Sequence, residues 1–270
     1  MVPFALIWVA TGSHAESPAQ VADSLTYADL ADLALPAPVV AHVQLRSATR
    51  LKPAQAPDLP AGISRFYVQA DVISLIRGAQ GLPTRVSYLA DVPDVGGKPA
   101  KLAKKSQYIA LAATVPGRPG ELQLQGAGAH LPYTAARAEQ VRAILQEATR
   151  AGAPPRITGI GRAFHVPGSL PGESETQIFL RTADNEPVSL SVLRRPGQTP
   201  RWAVALSEIV DDAAAPPQPN SLLWYRLACS LPAALPSQSY AEGETEHAGA
   251  IQADYRLIKE RLGPCARSRS

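Results

Sequence analysis

Proline punctuates this chain from end to end. Of its 270 residues, 26 are proline, and because proline removes a backbone donor and breaks helix interiors, that spacing favours short elements over long helices. Length and punctuation together suggest two small domains. The apolar fraction, 46 %, can fill a core, while only 18 % of residues are charged; this argues against disorder of the whole chain and for a lightly charged surface. The formal net charge of +3 permits contact with anionic envelope polymers without demanding it.

The apolar run Val2 to Ala10 is followed by Thr11-Gly12-Ser13-His14-Ala15 and then by polar Glu16-Ser17-Pro18. Small residues at Ser13 and Ala15 suit signal-peptide cleavage after Ala15, and the run is too short to span a bilayer as a helix. No Lys or Arg precedes it, so either the amino terminus supplies the positive charge or the start lies upstream. A buried N-terminal strand is the alternative. Later segments lack a long apolar run, so no transmembrane anchor is expected, and the expected location is periplasmic or secreted. In such a compartment Cys229 and Cys265 read as one disulfide rather than two free thiols. Loop closure at this spacing contributes roughly 3 to 4 kcal/mol.

Residues 16–37 read as an N-terminal helix and linker, with Thr26 as N-cap and Pro36 and Pro38 as terminators. Alternation then marks strands at Val39–Arg46, Arg65–Leu75, Val86–Val92 and Leu122–Leu124, and Gln107–Ala113, apolar on both faces, reads as a central strand. The second changes phase at Val72-Ile73, as a β-bulge does. Ala138, Val141, Leu145 and Ala148 follow at helical spacing, with Gly152 placed to cap. Five strands and a helix over residues 38–150 suit a small OB-like or Greek-key barrel, with a β-sandwich as the alternative. A break at 151–155 precedes an α+β domain over 155–265. It comprises strands near 156–164, 176–181, 188–193 and 202–209, a helix capped by Asn220, and a last helix near 245–262. Residues 266–270 are a tail. The fold class is thus mainly β with an α+β second domain, an antiparallel sheet carrying two disulfide-linked helices.

The rhythm of strand followed by Ile76-Arg77-Gly78 resembles the netrin-like variant of the OB barrel found in exported proteins. Ala163-Phe164-His165-Val166-Pro167-Gly168-Ser169-Leu170-Pro171-Gly172-Glu173, together with Leu223-Trp224-Tyr225-Arg226-Leu227-Ala228-Cys229, resembles a family of exported bacterial proteins. That resemblance implies no activity.

The stretch His165 to Glu175 brings an imidazole, hydroxyls and carboxylates onto a Gly/Pro loop, and His165, Ser169, Glu173 and Glu175 are the candidate partner-binding residues. Gly168-Ser169-Leu170-Pro171-Gly172 is not the G-x-S-x-G elbow of a serine hydrolase. A purely structural turn is the competing reading. Lys98, Lys101, Lys104 and Lys105 crowd one turn and form a candidate polyanion contact, with Tyr67, Tyr88 and Tyr108 available for stacking; a solubilising surface is the plainer explanation. His42, His130 and His247 have no short spacing that would make a metal site. Glu208, Asp211 and Asp212 read as a solvated strand end rather than paired carboxylates, and Trp202, Trp224 and Tyr225 as core rather than sugar platforms. No catalytic residue, cofactor or metal is assigned. The expectation is an exported, non-catalytic protein that binds another envelope protein, not nucleic acid. A glycan- or cell-wall-binding module and an envelope hydrolase are the alternatives.

Overall fold

The computed structural model describes residues 25–79, 81–207, 214–240 and 242–269. The proposed signal peptide, Glu208, Asp211 and Asp212 lie outside the described residues. Thr26 starts the first helix, α1 (Tyr27–Ala34): its hydroxyl accepts from Asp29 N, and the Asp29 carboxylate accepts from Thr26 N in return. This reciprocal cap satisfies two backbone donors that a helix start leaves free.

Six strands follow: β1 (Val39–Arg50), β2 (Ile63–Arg77), β3 (Arg85–Pro93), β4 (Gln107–Thr114), β5 (Glu121–Leu124) and β6 (His130–Pro132). The order β1-β2-β3-β5-β4 closes through a β4–β1 pairing, and only β3–β5 is parallel. This is a closed, mixed five-stranded barrel of OB-like form. Alanines at 41, 70, 90, 110 and 112 line its interior; small side chains let so narrow a barrel close, and Leu45, Phe66 and Tyr88 fill the space they leave. Opposite β1, Ile73 and Ile76 of β2 are extra residues in the register, so the phase change in the sequence is a bulge that bends the strand around the barrel.

Strand β4 is apolar on both sides because it has two burial partners. Ala110 and Ala112 face the barrel interior, while Ile109 and Leu111 face α1 and the helix α2 (Ala135–Thr149). Thr134 caps α2. The helix ends at Arg150 in extended conformation, and Gly152 lies in the turn beyond rather than capping it.

The second half forms an antiparallel sheet, β10-β9-β8-β7, from β7 (Ile157–Pro167), β8 (Ser174–Thr182), β9 (Val188–Arg194) and β10 (Arg201–Ala205). Helices α3 (Leu222–Ala228) and α4 (Ala248–Leu262) pack into the same core, where Leu227, Ile251, Tyr255 and Ile258 meet Ile178, Leu190 and Val192. The strand expected over 202–209 ends at Ala205, and both helix starts move. Ser221, not Asn220, caps α3, because Asn220 takes a left-handed φ of 57° and turns the chain into the helix. Helix α4 starts at Ala248, since Glu244–His247 is a 3₁₀ turn. Cys229, at the end of α3, is bonded to Cys265 beyond α4, with Cα atoms 5.0 Å apart.

The two halves touch through α3 and the C-terminal residues. Tyr225 Oη donates to Asp32 Oδ1 at 2.6 Å, Leu222 N donates to Glu147 Oε2 at 3.0 Å, and Arg267 Nε reaches Asp32 Oδ2 at 2.6 Å. Trp202 and Trp224 are half-buried against the second core, and Trp224 Nε1 donates to Leu262 O at 2.8 Å. Among the described residues no helix is long and apolar enough to cross a membrane.

Candidate functional site

Alternation on β2 and β3 sends Phe66, Val68, Val86 and Tyr88 into the barrel and leaves Arg65, Tyr67, Leu89 and Asp91 on the outside. The register then sets them opposite one another: Arg65 faces Asp91, and Tyr67 faces Leu89. The guanidinium binds the carboxylate through two hydrogen bonds, 2.6 and 2.7 Å long, a planar fork that fixes both side chains. Beside it the Tyr67–Leu89 pair is exposed, at 42 % and 46 %. The short β5 and the turns that flank it rise next to this ladder, and together they enclose an open groove of about 480 Å³ that also takes in Arg118, Glu121 and Gly126. The Arg118 guanidinium lies 2.9 Å from Glu121. The groove therefore offers an apolar floor with fixed charges of both signs around it.

Sequence reasoning set its partner-binding candidates on a loop from 165 to 175. Both ends of that stretch are strand. His165 pairs with Thr176 and Val166 with Glu175 inside the β7–β8 ladder, so only Gly168 to Glu173 form the turn. Glu173 closes that turn: its carbonyl accepts from Gly168 N at 2.8 Å and its amide donates to Leu170 O at 2.9 Å. Glu175 accepts from Gln177 Nε2 at 2.8 Å. Ser169 is exposed at the tip. The hairpin also presents Val166 and Leu170, which are 56 % and 58 % exposed.

His165 leads inward to a polar chain that sequence reasoning missed. Its Nδ1 lies 2.8 Å from Thr176 Oγ1, which donates to Asp254 Oδ2 at 2.5 Å, and Asp254 Oδ1 accepts from Arg194 Nε at 2.7 Å. Thr176 and Asp254 are buried. Burial lowers the His165 pKa, with the carboxylates of Asp254 and Glu244 opposing it and the His247 and Arg194 charges adding to it. The clue was present in α4: Ile251, Asp254, Tyr255 and Ile258 share one helix face, so Asp254 sits in the apolar stripe. A carboxylate there requires partners.

Lys98, Lys101, Lys104 and Lys105 are all exposed. Lys98 closes a small turn against Val95, and Lys105 takes a φ of 68° while its amide donates to Leu45 O. The aromatic rings expected beside them are placed differently. Tyr88 is buried in the barrel, Tyr108 stacks on His130 at 3.9 Å, and Tyr67 lies in the groove, which none of the four lysines lines. His42 stacks on Tyr133 at 3.7 Å and bonds Gln107 at 2.9 Å. No protein-family model and no curated protein matches the chain.

Proposed function

We propose that this is a non-catalytic binding protein of the cell envelope that docks a segment of another envelope protein in the groove on the outer face of β2, β3 and β5. The observation that carries the reading is the exposed Tyr67–Leu89 pair set beside the Arg65–Asp91 fork. An aromatic ring next to an aliphatic chain supplies desolvation energy, and charges already held in place lose little entropy when a partner arrives. Because the charges are of both signs, a mixed polypeptide suits the groove better than a polyanion does. The Cys229–Cys265 bond supports an oxidising compartment.

The hairpin favours a second reading, in which exposed Val166 and Leu170 are the docking knob. Crosslinking the exported protein in its own envelope, followed by identification of the joined peptides, separates the two. The double change Tyr67→Ser with Leu89→Ser is expected to abolish the crosslinks and leave the melting temperature nearly unchanged, since both side chains are on the surface. Loss of the crosslinks only in Val166→Ser with Leu170→Ser would move the site to the hairpin. Undiminished crosslinks in both would refute the reading.

A further inference from the structure

His165 and His247 meet where the turn Glu244–His247, which leads into α4, passes the edge strand β7. Their ring centroids are 5.3 Å apart and the planes incline at 44°. Two contacts hold the segments together: Tyr240 forms a backbone bridge with Ala163, and the Glu244 carboxylate accepts from His165 N through Oε2 at 3.0 Å. Both imidazoles are half-buried, so each keeps an open side.

The buried chain behind His165 sets its tautomer. The Thr176 hydroxyl has one proton, and that proton goes to Asp254. Towards His165 Nδ1 the same oxygen can only accept, so Nδ1 carries the hydrogen and Nε2 keeps its lone pair. Metal-binding imidazoles are oriented in this way, the nitrogen that does not bind the metal donating into a hydrogen-bonded chain that ends on a carboxylate. Two imidazoles bound to one ion at about 2.0–2.1 Å in a tetrahedral shell have centroids roughly 5 Å apart, close to the separation here.

We propose that His165 and His247 form a two-imidazole site for a borderline divalent transition-metal cation. Among the described residues no three His, Cys, Asp or Glu side chains converge on such a site, so water completes the shell and the ion exchanges readily, unlike a four-ligand structural zinc. Glu246 Oε1, 3.6 Å from His247 Nε2, and the neighbouring Glu244 supply negative charge on the solvent side, while Asp254 offsets Arg194 on the inner side. Nitrogen ligands select Cu²⁺ over Zn²⁺ and reject hard cations such as Mg²⁺. The spacing rules for adjacent histidines do not reveal the site, because the fold and not the local sequence makes these two neighbours.

The test is calorimetric titration of the untagged, disulfide-intact protein with Cu²⁺, Zn²⁺ and Mg²⁺ near neutral pH. One ion per chain is expected, Cu²⁺ tighter than Zn²⁺, with no response to Mg²⁺. His165→Ala and His247→Ala should each weaken binding by about tenfold or more. His247 stands on a surface turn, so its variant should melt like the unsubstituted protein without metal even if His165→Ala folds poorly. No binding by the unsubstituted protein, or unchanged binding by folded His247→Ala, would overturn the proposal.

Discussion

His130 sits in the barrel wall with 9 % of its surface exposed, stacked on Tyr108 and edge-on to Tyr88 at 5.5 Å. Its Nε2 and the Tyr88 hydroxyl are buried without a hydrogen bond among the described residues. Burial pushes the imidazole pKa down to about 4, against about 6.5 in an unfolded chain. Between those values the unfolded state binds more protons, so stability falls as pH drops from 6.5 to 4 and levels off below. The His130 share of that fall is about 3 kcal/mol. His130→Phe keeps the stack and removes the titration. In urea unfolding, the stability of the variant minus that of the unsubstituted protein should therefore grow as pH falls from 7 to 4; a gap independent of pH would refute the assignment. Such roles are not legible one residue at a time. No sequence spacing foretells the surroundings of His130, His165 and His247; packing alone makes the first a buried neutral ring and brings the other two rings within 5.3 Å.

Elements were more legible than residues because their signals are periodic. Alternation located β1, β2, β3 and β5, a continuous apolar run located β4, the helical stripe located α2 and α4, and the bulge in β2 was visible as a change of phase. What escaped was short or context-driven. Three-residue β6 is too brief to alternate, and exists because β4 offers a free edge from Tyr108 to Ala110. The stretch from His165 to Glu175 reads as a loop from its glycines and prolines, yet its flanks are held in strand by the ladder between β7 and β8. The disulfide belongs to this scale, since it fastens the ends of α3 and α4. Cys265→Ser should destabilise the protein by roughly 2 to 5 kcal/mol through restored freedom of the unfolded chain. Denaturant titrations of the variant and of the unsubstituted oxidised protein check it, and matching midpoints would show that core packing alone sets the stability.

At the scale of the whole molecule, the contacts that join the halves concentrate on α1. Ser268 donates to Asp29 through its amide at 3.0 Å and its hydroxyl at 2.6 Å, and Arg267 pairs with Asp32, which also accepts from Tyr225. The segment after Cys265, which in sequence resembles a loose tail, is thus a clasp between the second half and the barrel. Burial alone would raise the pKa of Asp29, but the hydrogen bonds from Ser268 and Thr26 outweigh it and hold the carboxyl well below the usual range. Asp32 is lowered likewise, with burial opposed by Arg267 and Tyr225. A carboxyl whose folded pKa is depressed adds stability above its unfolded value, about 4, and loses it as pH falls towards the folded value. Removing residues 266–270 while keeping Cys265 deletes Ser268 and Arg267, the first of the partners that depress the two groups, and leaves Thr26 and Tyr225 in place. The truncated protein should melt below the full chain at pH 7, and the two melting curves should draw together as pH drops below about 4. A difference in melting temperature that persists unchanged into acid would mean that packing of the tail, and not its grip on Asp29 and Asp32, holds the halves in register.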